Sequence, residues 1–415
     1  MNAVKMLFSL TNEQRKHLAL TLIEETWELV QLNDTIFLYF DDDILRKQII
    51  VKEDYYCEKE LNRLTSDSRT ILPPLTGKGK PKKLNYTGVD ACTPESSYFL
   101  WNGKKGDFIV GNHTTQQTYF TTEGSGQKLE TWGAVENFVT DWISETTTSD
   151  MTEMEQFRTA KRKHQKIKEG DIFVFKIGRR EYGFGRVLLD VRELRKDIKS
   201  GKISEPHYGL ACLMAQPLMV KVYQVISNKN TIDLDELVLQ PAFLSQQIMD
   251  NRLLYGDYEI VGHRPLLSED MDFPISINWH VDRSNPNQKE KYVFMQYGLI
   301  FLMKPFDEFK AYCEEQKKTG LCIHDAYSVA SIGFSLWVMR DIPSMKQAIQ
   351  TGTFLETSAY GYSTNPSEKP EKIHDLRHPA NAEAKKAVFA FFGLDADKKY
   401  SENYDTYCVL KRKTV

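Results

Sequence analysis

Apolar positions come in short runs near the start of the chain. WELVQL, TIFLYF and ILRKQIIVK are each rich in β-branched and aromatic residues, and they are parted by Asn33-Asp34 and Asp41-Asp42-Asp43. Runs of this kind between turn-forming residues predict a three-stranded meander. Before it, Thr11-Asn-Glu-Gln14 has capping-box spacing and opens a short helix ending near Leu20. Tyr55 to Leu64 reads as helical, and LPPLTGKGKPKKL as a loop. SYFLWNG, DFIVGN and TTQQTYFTTE then resume the strand signal. From Trp132 to about Ser144 the pattern changes: Trp132, Val135, Phe138, Val139, Trp142 and Ile143 share one helical face. A second helix is expected from Asp150 to about Gln165, with acids early and bases late, as the helix dipole favours.

Beyond Ile167 strands dominate. DIFVFKI and EYGFGRVLLDV predict a hairpin around Gly178-Arg179-Arg180. PLMVKVYQVI, DYEIVGH, ISINWHV, KYVFMQY and GLIFLMK follow, with inserts at Arg192 to Gly201 and Leu234 to Asp250. Many short strands with long inserts imply a strongly bent sheet or a small barrel. From Pro305 a helix is expected with Phe306, Phe309, Tyr312 and Cys313 inward and Gly320 at its end. Thr364 to Ala380 reads as a Pro-rich loop, and Glu383 to Phe392 as an amphipathic helix closed by Gly393. The expected class is α+β. Its organisation is an N-terminal α+β domain over 1–149, a connecting helix over 150–166, a β-rich domain over 167–304 and a C-terminal helical or irregular extension over 305–415.

Composition narrows the class. With 415 residues, 41% hydrophobic and 27% charged, the chain is globular and long enough for two or three domains. The net charge of −3 leaves no case for a polyanion binder outside a local patch. Six scattered cysteines without a Cys-x-x-Cys imply reduced thiols and a cytoplasmic protein. MNAVKMLFSLTNEQ lacks the apolar core of a signal peptide, and no run is apolar enough to span a bilayer, so no membrane role is expected.

Candidate chemistry is sparse. Gly183-Phe-Gly185 would cradle a phosphate only with a third glycine and a following helix, whereas Arg186-Val-Leu-Leu continues a strand. A strand glycine serves instead to kink the strand or to let an aromatic ring lie across bare backbone. Lys161, Arg162, Lys163, Lys166 and Lys168 form a basic run that could meet nucleic acid, although a solvated helix end reads the same way. His374 and His378 are four apart and could share a metal on a helix, but Pro370 and Pro379 bracket them. His280 and Asp282 share a strand face and suit a structural pair. No nucleophile elbow and no His-x-His pair occurs, and no cofactor or catalytic residue is assigned.

Gly170-Asp171-Ile-Phe173 followed by Tyr182-Gly183-Phe184-Gly185-Arg186-Val187 resembles the bacterial immunity protein 26 family, also labelled phosphotriesterase HocA. PLMVKVYQV and YGDYEIVGHRPL look like that family's continuing strands, so the resemblance spans roughly Ile167 to Lys304. It implies a cytosolic protein that binds and neutralises a cognate toxin of a polymorphic toxin system. The HocA label implies organophosphate hydrolysis, for which the chain lacks paired metal ligands. Arg179, Arg180, Tyr182 and Arg186 are the candidate contacts with the partner. The resemblance leaves the oligomeric state open.

Overall fold

The computed structural model describes residues 6–66, 69–71, 77–80, 84–122, 127–201, 217–281, 291–315, 376–377 and 382–413. The chain divides into two compact units, one of 1–165 with 254–257 and one of 166–253 with 258–415.

The first unit is built on an antiparallel meander. Its strands are β1 (Glu28–Asn33), β2 (Ile36–Asp41), β3 (Ile44–Lys52), β4 (Tyr55–Ser66), β6 (Glu95–Asn102), β7 (Asp107–Asn112) and β8 (Gln117–Thr121), with β5 (Thr70–Ile71) paired to β4. Successive side chains leave opposite faces of a strand, and here both faces are covered. Phe37, Ile49, Val51, Phe99 and Phe108 pack beneath α1 (Asn12–His17), α3 (Trp132–Ser144) and α4 (Thr148–Thr159). Leu38, Leu45 and Leu61 pack on the other face with Val89 of α2 (Tyr86–Asp90). The expected capping box at Thr11 and Gln14 is present, and all six apolar positions predicted for α3 join one core.

Two expectations fail in this unit. Tyr55 to Leu64 is strand, not helix: β4 runs twelve residues between β3 and β6. Its inward Glu58 is fully buried because Lys47 Nζ lies 2.5 Å away and Arg15 Nε 2.9 Å away, while the Tyr56 hydroxyl donates at 2.8 Å. Burial would raise the Glu58 carboxyl, but Lys47 and then Arg15 outweigh it and hold it at about 2. The second helix starts at Thr148, where Thr147 and Asp150 form the capping box, and stops at Thr159. Ala160 is extended, so the basic run beyond it is not helical.

The second unit holds two open antiparallel sheets, and no barrel closes among the described residues. One has the order β12-β11-β10-β9-β13, formed by β9 (Asp171–Lys176), β10 (Tyr182–Asp190), β11 (Pro217–Val222), β12 (Gln246–Met249) and β13 (Glu259–His263). The other is the meander β14 (Ile275–Val281), β15 (Lys291–Tyr297) and β16 (Ile300–Pro305). The α+β class therefore holds, with sheets in place of the small barrel. The helices are α5 (Val191–Lys199), α6 (Leu234–Leu237), α7 (Asn251–Leu254), α8 (Phe306–Glu315), α9 (Ala382–Phe392) and α10 (Tyr400–Lys413). One core joins Ile277, Val293 and Met295 of the meander to Phe309 and Cys313 of α8, Phe389 of α9 and Tyr407 of α10. Phe309 and Cys313 point inward as expected, and Gly393 closes α9 with φ +79°. The helix α10 lies in the C-terminal extension, beyond the last individual helix that the sequence predicts.

Candidate partner-binding site

The hairpin of β9 and β10 organises the second unit. Phe173 stands opposite Gly185, and Phe175 opposite Gly183. A β-carbon on Gly183 would come within 2.7 Å of the Phe175 ring, and one on Gly185 would run into Phe173. Glycine thus lets both rings lie across the neighbouring strand. Tyr258 completes the aromatic row, its centroid 5.7 Å from Phe173 and 5.4 Å from Phe175. The glycines face rings, and β10 continues as strand to Asp190, so no phosphate cradle exists here.

Alternation sends Arg186 to the other face of β10, where it is 2% exposed. Its Nη1 donates to Asp270 Oδ2 at 3.0 Å, and its Nη2 donates to the carbonyls of Arg264 at 2.9 Å and Pro265 at 2.7 Å. Lys221, directly opposite in β11, places Nζ 2.5 Å from Asp270 Oδ1. The Leu267 amide adds a donor to Asp270 at 2.8 Å. Burial would raise the Asp270 carboxyl, but Lys221, the Leu267 amide and Arg186 keep it below the ordinary range. The segment from Arg264 to Asp270 is thereby stitched to the sheet.

A second polar group sits where β9 meets β13. Gly170 has φ +89°, its amide donates to the Val187 carbonyl at 2.8 Å, and its carbonyl accepts from the Arg264 amide at 3.0 Å. A side chain at 170 would strike the Arg264 carbonyl and come within 2.9 Å of His263 Cε1. Asp171 is 3% exposed, and its Oδ2 accepts from the Lys168 amide at 2.9 Å. Its Oδ1 lies 3.0 Å from Nδ1 of His263, its partner across the ladder. The His263 side chain is 36% exposed. Arg264 turns to α6 instead and grips Asp235 through two bonds of 2.6 and 3.0 Å.

All of these residues lie in one stretch of chain. Residues 168–288 match the family model of immunity protein 26. The immunity protein 26 match opens at the turn closed by Asp171 and takes in β9 to β14 with α5 to α7. It therefore covers the aromatic row, the Arg186–Asp270–Lys221 group and the Asp171–His263 pair. Residues 1–167 and 289–415 lie outside it. No curated protein and no solved structure matches the chain.

The candidate contacts separate on inspection. Arg180 is exposed at the hairpin tip. Arg179 is half-buried beside it, and its carbonyl accepts from Lys176 Nζ at 3.2 Å. Tyr182 is half-buried, bridged to Ser227 through backbone bonds of 2.8 and 3.0 Å. Arg186 is not a surface contact, because strand alternation and Asp270 hold it inside. In the basic run Lys161, Arg162 and Lys163 are exposed on extended chain of the first unit, with the Arg162 guanidinium 3.7 Å from the centroid of Tyr255. Lys166 and Lys168 are exposed in the second unit. His374, His378 and Asp282 lie outside the described residues. Among the described residues no group of three or more His, Cys, Asp or Glu could hold a metal ion, and no helix is long and apolar enough to cross a membrane. No motif in the sequence marks His263, Lys221 or Asp270. The one available signal was His263 closing the strand EIVGH directly after Gly262.

Proposed function

We propose that the chain is an immunity protein that binds a cognate protein toxin in the cytosol and neutralises it by occupation, without chemistry of its own. The match of residues 168–288 to immunity protein 26 carries this reading. The geometry supports it in a particular way. Gly183, Gly185, Phe173 and Arg186 are all turned into the sheet or its polar belt, so they act as scaffold. A neutralising protein needs a stiff scaffold of this kind and a small exposed set of anchors. Protein pairs of this type can reach the tightest affinities known.

The test is co-expression with the toxin encoded beside this chain's gene. Growth should be restored, and the purified pair should co-elute at micromolar concentration. Separate migration of the two proteins, with no rescue of growth, overturns the reading.

A further inference from the structure

We propose that His263 is an anchoring contact for the partner, and that Asp171 fixes its imidazole as a hydrogen-bond acceptor for a lysine or arginine of that partner. The inference rests on the toxin-binding reading and deepens it.

The polar belt of the second unit is almost wholly engaged with itself. The Asp171 carboxylate is shared between the Lys168 amide and His263. Asp270 holds Arg186 and Lys221. On the opposite face of the sheet, Arg186 Nε and the Tyr223 hydroxyl are sealed from solvent. His263 differs. Its Nδ1 faces Asp171, its Nε2 has no hydrogen-bond partner among the described residues, and Nε2 is not among the sealed atoms.

A carboxylate at Nδ1 accepts the ring proton there and leaves Nε2 with a bare lone pair. The same contact fixes the direction of the ring, as a carboxylate does for an imidazole that must hold something at its far nitrogen. The orientation is built in. Asp171 is held by the turn from Lys168, and Gly170 is bare where any side chain would displace the ring. A buried anion behind a fixed acceptor favours a cationic donor in front of it. The complementary group is therefore an ammonium or guanidinium N–H.

Two measurements on the full chain test this. Nitrogen-15 NMR of the free protein should show the neutral His263 ring carrying its proton on Nδ1. Affinity for the toxin encoded by the adjacent gene should fall about tenfold to a hundredfold in His263→Ala, the loss of one charge-assisted bond. His263→Gln, which returns an acceptor oxygen, should recover part of it. Asp171→Asn would donate to Nδ1 and move the proton to Nε2. It should weaken binding as much as His263→Ala, and the double variant should be no weaker than either. Thermal unfolding checks that each variant folds; if Asp171→Asn does not, the Ala and Gln pair and the NMR tautomer decide. A proton on Nε2 in the wild-type protein, or wild-type affinity in His263→Ala, overturns the proposal while leaving toxin binding intact. Failure of the wild-type chain to bind overturns both.

Discussion

At Gly183 and Gly185 the absence of a side chain is the working part. Each stands under a phenylalanine ring of β9, and the rings occupy the space that β-carbons would take. Gly185→Ala should therefore destabilise the protein by about 1–3 kcal/mol through overpacking. The denaturant midpoint should fall with the slope unchanged, and Phe173→Leu added to it should recover part of the loss. The sequence alone favoured a bent strand over a phosphate cradle, since Arg186-Val-Leu-Leu carries on as strand. It could not say which ring covers which glycine, because that depends on register. Glu58 shows the opposite case. Glu58-Lys59-Glu60 looks like a solvated helix surface, and the partners that permit its burial, Arg15 and Lys47, come from other elements. No local pattern records such a pairing.

Arg186 acts at the scale of an element. Its guanidinium joins β10 to the chain between Arg264 and Asp270, which has no ladder of its own. Arg186→Met would leave the carbonyls of Arg264 and Pro265 without this donor, and Asp270 with only Lys221 and the Leu267 amide. The expected cost is about 3–5 kcal/mol, as for other broken buried pairs. Amide exchange should accelerate first at residues 264–272 in a hydrogen-exchange experiment. Apart from β4, β5 and β12, the strands were legible, as were the helices α3, α8 and α9, because their apolar spacing is regular. The end of α4 was not, because its basic continuation favours a helix locally while Ala160 turns extended. In α10 the inward Tyr400 and Tyr407 carry the helical spacing, but two inward residues seven apart make a weak local pattern.

At the scale of the molecule, acid should act early on the first unit. His113 follows β7 and stacks on Tyr98 with centroids 4.2 Å apart. Burial, helped by Lys59, lowers its imidazole from 6.5 to about 4. Between those values the unfolded chain binds the proton and the folded one does not, so stability falls as pH drops. Glu58 extends the loss. Its folded value of about 2 lies below the ordinary 4.5, so the stability that it contributes is complete above 4.5 and is lost as pH falls towards 2. Full loss amounts to on the order of 3 kcal/mol. Urea unfolding followed by tryptophan fluorescence, taken from neutral pH to about 3, should show both steps. His113→Gln should remove the upper one.

The chain passes between its two units three times, because residues 254–257 belong to the first although the second surrounds them in sequence. Within the first unit that short return is well used. The Leu254 carbonyl accepts from the Gln165 amide at 2.9 Å, and Tyr255 lies under Arg162. A single cut at the 165/166 junction would therefore not release a complete half on either side. The N-terminal piece would lose the ring beneath its arginine. The matched segment 168–288, lifted out alone, would carry four residues whose lodging had been left behind. A transfer that kept the matched segment and residues 254–257 with the partners they have here would have to move the first unit's Arg162 and Gln165 as well.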